Sequence, residues 1–483
     1  MVSNCANLAL FLGFGSLVWV LYKLPKICAD GGLITAQMRS YLSQKSIESG
    51  HPFLKPRPSM KKISRRTALK TSLAGAAAIS APVILPSSVF GLNGQTAPSN
   101  RINVGLIGNG KIMKGHRAYH AGADDVQVVA LSDVKTWMLE EANADVEKIQ
   151  GEKVDTYEDY EDLLARDDID AVVVGTPDHW HAKISIDAFK TGKDVYVEKP
   201  MTLTIEEGKV MRDTCARYGR VLQVGSQQRS EWAFRRAAEL VRNGYIGKVH
   251  TIAARLGNFP PPTQFPATPI PPGLNYDRWL GPAPMEPYNE ERIKGDYGGG
   301  WRRFWDYGSR KNGDWGAHHY DIIQWALGMD ESGPTHFVPK GYKGEPYQYY
   351  TYKDGTKVIR GYEGMGHMIR FMGEEGEVRV SRGGKIDTVP GSLKNFVFKA
   401  SDQRLYVSND HRRDWLNGIR SRQQPLCHVG VGHRTATICH LCGISERLGR
   451  PLDWDPQEEH IIGDDRAAMW ETRPRRAPYD QLV

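Results

Sequence analysis

Apolar and polar positions follow two rhythms along this chain, and the change falls near residue 226. From Asn103 an apolar run (Val104, Leu106, Ile107) breaks at Gly108-Asn109-Gly110 and gives way to a helical rhythm from Lys111 to Gly122. A second apolar run, Val126 to Leu131, precedes helical patterns over Lys135 to Gln150 and Tyr160 to Arg166. Two further runs follow, Ala171 to Gly175 and Asp194 to Val197, with a helix from His181 to Thr191 between them. Thr204 and Glu207 have the spacing of a capping box for a helix ending near Tyr218, before a last strand, Val221 to Val224. Uninterrupted apolar runs mark strands buried on both faces. Their alternation with helices over short links predicts an α/β fold with a doubly wound parallel sheet across 101–226, its ligands outside the carboxyl ends of the strands.

Beyond Ser226 the rhythm changes. A helix from Glu231 to Asn243 leads to an apolar stretch, Lys248 to Leu256, and then a proline-rich loop. Tyr349 to Arg360 and Met368 to Val380 alternate about the turns Lys353-Asp354-Gly355 and Gly373-Glu374-Glu375-Gly376, as hairpins do. These patterns predict a second, α+β domain with a mainly antiparallel sheet over 227–452 and leave 453–483 as a tail.

The chain has 483 residues, 40% of them hydrophobic and 25% charged, enough for two buried cores. The net charge of +7 is concentrated around Lys61 to Lys70 and in pairs such as Arg475-Arg476, with no basic stripe interleaved with aromatics, so a nucleic-acid partner is not expected. Ser64-Arg65-Arg66-Thr67-Ala68-Leu69-Lys70, followed by a mild apolar run to Leu85, resembles a twin-arginine export signal within 60–100. Export to the periplasm, with the twin-arginine translocase as a transient partner, is the expectation. Residues 1–59 read as preceding the natural start at Met60; if they belong to the protein, Leu8 to Tyr22 offers a membrane anchor at the short limit of a span. Cys439-His440-Leu441-Cys442 has metal-like spacing but falls inside a helical pattern without a second pair, so no metal is expected.

The chemistry is read from strand ends. The Gly108-Asn109-Gly110 turn with Lys111 and Ile112 before a helix is a phosphate-binding arrangement: glycine lets the backbone approach a pyrophosphate, and the helix start supplies free N–H groups. Met113 stands where G-x-G-x-x-G would place a third glycine. Asp133, at the end of the second run, has the spacing of the carboxylate that binds ribose hydroxyls, favouring NAD. Lys135 keeps NADP as the alternative. On a helix Asp314, His318 and Asp321 share one side, four and seven residues apart, with His319 pointing elsewhere.

Thr176-Pro177-Asp178-His179-Trp180-His181 and Glu198-Lys199-Pro200 follow the next two strands, and Asp314-Trp315-Gly316-Ala317-His318-His319-Tyr320-Asp321 lies in the second domain. Together they resemble the Gfo/Idh/MocA (glucose-fructose oxidoreductase, inositol dehydrogenase) family from Arg101 to about Leu452. The resemblance implies catalytic Lys199, a cis Lys199-Pro200 peptide, acid/base roles for Asp314 and His318, and cofactor contacts from Thr176, Pro177, His179, His181, Glu198 and Lys199. It also implies a homo-oligomer through the second sheet and a small carbohydrate substrate. Trp301, Arg302 and Trp305, in an aromatic stretch before Asp314, are candidates for a sugar platform and an anion contact, with Asp321 as a further substrate residue.

The function expected is oxidation of a secondary alcohol of a sugar, polyol or glycoside by hydride transfer to nicotinamide, His318 taking the hydroxyl proton and Lys199 stabilising the alkoxide. The alternative is a redox-neutral NAD-dependent glycosidase, whose Thr-His-Gly-Leu-Gly signature is not in the sequence. A second alternative is a non-catalytic nucleotide-binding protein.

Overall fold

A computed structural model describes residues 96–297, 299–361 and 368–483. The first sheet contains β1 (Ile102–Ile107), β2 (Val126–Ser132), β3 (Asp155–Tyr157), β4 (Ala171–Val174), β5 (Asp194–Val197) and β6 (Leu222–Val224). All pairings are parallel, in the order β3-β2-β1-β4-β5-β6. Between them run helices α1 (Met113–Ala121), α2 (Thr136–Gln150), α3 (Tyr160–Leu164), α4 (His181–Lys190) and α5 (Ile205–Arg217). Helices cover both faces, so β4 and β5 are buried at every position. The Thr204–Glu207 capping box starts α5. The strand order reverses between β1 and β4, and a crevice opens above their carboxyl ends.

The second sheet has nine strands: β7 (Val249–Ala254), β8 (His336–Val338), β9 (Tyr349–Thr351), β10 (Lys357–Arg360), β11 (Ile369–Gly373), β12 (Glu377–Ser381), β13 (Lys385–Val389), β14 (Leu452–Asp455) and β15 (His460–Ile462). They are ordered β13-β12-β11-β7-β10-β9-β8-β14-β15, antiparallel except where β10 runs parallel to β7. Helices α6 (Trp232–Arg242), α7 (Lys311–Leu327) and α9 (Val429–Leu448), with α8 (His411–Ser421) between the last two, complete the long elements. Ile252, Phe337, Tyr350, Phe371 and Val378 share one core with Ala237, Ile323 and Leu441 of the covering helices.

Two features depart from the sequence reading. Residues 453–483 are not a tail: β14 and β15 complete the sheet, Tyr479 packs edge-on against Trp180 at 5.0 Å, and Arg475 pairs with Glu206 at 2.8 Å. Helix α8, which no pattern announced, returns to the first sheet, where Trp415 and Leu416 are buried beside Val173 and Tyr196.

The segment 258–310 carries its own small core of Leu274, Trp279, Trp301, Phe304 and Tyr307 and lies against the first sheet's crevice. Backbone bonds fix it there: Thr136 N–H to the Gly273 carbonyl and Asn275 N–H to the Val134 carbonyl, both 2.9 Å. The Trp180 indole N–H adds a donor to the carbonyls of Arg278 and Trp279, each at 3.1 Å. A sheet-end crevice thereby becomes a roofed cleft.

Candidate active site

The floor of the cleft is built at the end of β1. Gly108 has φ 80°, and a Cβ there would lie 2.6 Å from the Thr176 backbone nitrogen, so only glycine lets β1 and β4 end this close together. The Asn109 N–H donates to Asp133 Oδ2 at 2.6 Å and the Lys135 N–H to Oδ1 at 3.0 Å. The Asn109 side chain donates to the Ser132 carbonyl at 3.0 Å, bracing the turn rather than facing the cleft. Met113 fills the place of the third glycine, and Gly175 makes the room: a Cβ there would meet Met113 Sδ at 2.5 Å.

Gly108, Gly110, Lys111, Ile112 and Asp133 line one end of a cleft of about 1160 Å³, measured to its open mouth. Thr176, Pro177, His181, Glu198 and Lys199 line its middle, with Trp301 and Arg302 above them. These residues fit a dinucleotide. The space beside Gly110 is open, α1 starts without a side-chain cap, and the buried Thr176 hydroxyl has no partner among the described residues. Burial raises the Asp133 carboxyl, which suits it to accept hydrogen bonds from uncharged hydroxyls rather than meet a second anion.

The second domain meets the cleft through α7. Lys199 Nζ donates to Asp314 Oδ1 at 2.7 Å and to the Asp314 carbonyl at 3.2 Å; Lys311 Nζ holds the other carboxylate oxygen at 3.2 Å. Burial works against the Asp314 charge, but Lys199, Arg302 and Lys311 together hold its pKa down to about 2. His318 lies one turn further, 4% exposed, its Nδ1 without a partner among the described residues. Burial keeps this imidazole neutral, and the charges of Lys199 and Arg382 reinforce that. An ammonium from one domain thus meets α7 one turn before an unprotonated imidazole from the other. The Lys199–Pro200 peptide is cis, as the resemblance implies.

Other candidates lie elsewhere. Asp321 does not join Asp314 and His318: seven residues share a side of the helix but differ by about 10 Å along its axis. Its carboxylate takes Arg229 Nε at 2.9 Å and the Thr435 hydroxyl at 3.2 Å, and burial raises its pKa to about 6 despite the guanidinium. Trp305 stacks on Phe259 at 5.9 Å with Arg447 at 4.9 Å, outside the cleft. His179 also stays out of the lining; its Nε2 is 3.0 Å from the Trp279 carbonyl, and burial pushes its pKa to about 3. His181 braces the wall, its two ring nitrogens at 2.8 Å from the Pro200 carbonyl and 3.0 Å from that of Thr176. Glu198 contacts His116 Nε2 at 3.0 Å, so it supports α1 as well as lining the cleft.

The sequence reading passed over Asp178. This carboxyl lines the cleft beside Lys199, 5% exposed, with its pKa raised by burial to about 8 although Arg302 and Lys199 oppose the rise. Its place directly after Thr176-Pro177 at a strand end was the available signal. Tyr297, which opens the aromatic stretch before Asp314, also lines the cleft; its ring takes Lys111 Nζ at 4.8 Å and the Arg302 guanidinium at 5.4 Å.

A parallel sheet with a glycine turn, a carboxylate at the end of its second strand and a lysine after its fifth, joined across a cleft to an aspartate–histidine pair on a second domain, defines a nicotinamide-nucleotide-binding oxidoreductase fold. The family model for the NAD-binding Rossmann fold of an oxidoreductase family matches residues 102–226, and that for its C-terminal alpha/beta domain matches 258–481. The chain belongs to the Gfo/Idh/MocA family. Among curated relatives, a glycosyl hydrolase family 109 protein of Shewanella pealeana is 33% identical over 171 residues, 32% of this chain and 38% of the relative. An alpha-N-acetylgalactosaminidase of Shewanella oneidensis is 34% identical over 137 residues, 27% of this chain and 30% of the relative. The chain thus matches less than two-fifths of the length of either. Two solved structures share the fold. Aldose-aldose oxidoreductase from Caulobacter crescentus, complexed with glycerol, is 17% identical with TM-score 0.52, covering 73% of this chain and 99% of that one. WlbA dehydrogenase from Bordetella pertussis, with NADH and UDP-GlcNAcA, is 18% identical with TM-score 0.51, covering 73% and 98%.

Proposed function

We propose that the protein oxidises a secondary alcohol of a sugar, polyol or glycoside. The observation that carries this is the Lys199–Asp314 contact with His318 on the same helical turn, at a cleft shaped for a dinucleotide. The bound nicotinamide supplies the hydride acceptor. The Lys199 ammonium, oriented by Asp314, lowers the energy of the substrate oxygen as it becomes anionic. His318, neutral and unpartnered at Nδ1, accepts the hydroxyl proton. Trp301 and Arg302 close the cleft from above, the guanidinium lying over the indole at 4.1 Å, and present an apolar face with a charged edge to a sugar ring.

A second reading, net glycoside cleavage with the nicotinamide restored in each cycle, is supported by the relatives named for glycosyl hydrolase family 109. Export through the twin-arginine route to the periplasm belongs to the proposal; the segment that supports it, Ser64 to Lys70, and the leader 1–59 lie outside the described residues. So does assembly of copies through the open face of the nine-stranded sheet, where Arg370, Glu377 and Arg379 form one charge network. The test is to identify the nucleotide released from purified protein by denaturation, then follow NADH formation with a panel of sugars and polyols. Absence of any nucleotide affinity refutes the proposal; turnover of glycosides without net NADH selects the second reading.

A further inference from the structure

Residues 472–483 run from the first domain to the roof of the cleft and back. Arg475 pairs with Glu206 in the first turn of α5 at 2.8 Å, and Tyr479 and Leu482 are buried in the first domain's core with Tyr160 and Ile184. Between these anchors Arg476 takes hold of a short helix in the roof, Tyr276–Leu280. Its Nη1 donates to Asp277 Oδ1 at 2.6 Å, its Nη2 to the Asp277 carbonyl at 2.8 Å and its Nε to the Gly281 carbonyl at 3.1 Å, while its backbone N–H reaches the Pro282 carbonyl at 3.1 Å. One side chain thus spans a full turn of the roof helix, using the rigid fork of donors that a guanidinium has and an ammonium lacks. The Arg476 carbonyl accepts from the Tyr479 N–H at 2.8 Å, and this turn sets the phenol edge-on to Trp180.

Trp180 is where this strap meets the cleft, which it lines together with Tyr160, Arg278 and Trp279. The roof presses on the indole directly: a Cβ on Gly281, which has φ 49°, would fall 2.0 Å from its ring. The roof helix also starts beside Asp133, since its N-cap Asn275 donates to the Val134 carbonyl and its Arg278 pairs with Glu161 at 2.9 Å. A dinucleotide covered by Arg278, Trp279 and Trp301 leaves only when this segment lifts, so the contacts broken on lifting set how fast it goes. We propose that Arg476 and Tyr479 are positioning residues for the dinucleotide, which fasten the roof helix and Trp180 to the first domain and thereby govern its release. This rests on the cleft holding NAD. Neither residue lines the cleft, so the effect passes through Trp180 and the roof helix and not through the reacting atoms.

The test measures release from the full-length protein by stopped flow: NADH displaced by excess NAD, and ADP-ribose displaced by excess NADH, with the nicotinamide fluorescence as signal in both. ADP-ribose lacks the nicotinamide, so it reports on the roof without the catalytic end. Arg476→Ala is expected to speed release of both ligands by ~10-fold or more, Arg476→Lys by less, and Tyr479→Leu, which keeps an apolar group in the core, by ~3-fold or more. Asp277 is exposed, so Asp277→Ala removes the partner carboxylate with the urea midpoint unchanged; it should speed release as well, and should add little on top of Arg476→Ala because both break one contact. Release from folded Arg476→Ala or Asp277→Ala at the wild-type rate, faster release of NADH alone, or full additivity of the two substitutions overturns the assignment while leaving the nucleotide site intact. Wild-type protein that binds neither NADH nor ADP-ribose removes the nucleotide reading itself, and this proposal with it.

Discussion

Replacing Asp178 by Asn should stabilise the fold, by an amount that depends on pH and not on knowing the substrate. Burial raises this carboxyl from its ordinary 3.8 to about 8, and at 5% exposure little solvent screens it. Below pH 4 the acid is neutral folded or unfolded, and the native state bears no penalty. Above that, the unfolded chain ionises while the folded one resists, and native stability declines by about 1.4 kcal/mol per pH unit until the folded group itself ionises near pH 8. The amide is never charged and escapes the decline. Between pH 5 and pH 7 the advantage of the variant should therefore widen by about 2.7 kcal/mol. Thermal midpoints of both proteins at pH 5, 6, 7 and 8, at one scan rate, read this out as a gap growing by about 3 °C between pH 5 and pH 7. A gap constant with pH, or a variant less stable than wild type at pH 8, would show that Asp178 is ionised in the fold and refute the reasoning.

Lys199→Ala should lower kcat by ~10²- to 10³-fold while NAD affinity by calorimetry changes little, since the ammonium contacts Asp314 and, in the proposed role, the reacting oxygen rather than the phosphate turn. Gly108→Ala should abolish NAD binding with the circular dichroism spectrum retained, because the added Cβ would fall 2.6 Å from the Thr176 backbone at a φ of 80° that alanine resists. Asp321→Ala should cost about 3–5 kcal/mol by leaving Arg229 buried with half its pairing gone, yet preserve kcat per folded molecule in a mild-temperature assay. A large kcat loss at full stability would instead place Asp321 in the chemistry.

What the sequence determined by itself was whatever a local pattern can express. Continuous apolar runs gave β1, β2, β4 and β5, the capping pair Thr204 and Glu207 placed the start of α5 at Ile205, and alternation about Lys353-Asp354-Gly355 gave the β9–β10 hairpin. Strand ends followed, and with them Gly108, Asp133, Thr176 and Lys199, because in a parallel sheet ligand groups sit where strands stop. Only the tertiary structure decided the rest. Helical spacing set the side of α7 that Asp321 shares with Asp314 but not the 10 Å or so of axial rise between them, so Arg229 captured it. The polar-rich residues 453–483 lack a strand rhythm of their own and become strands where β8 offers an edge to pair with. Asp178 looked like an ordinary turn residue; its proton is held by burial under a roof folded from residues about a hundred positions away, and burial is a property of packing that no short stretch of sequence carries.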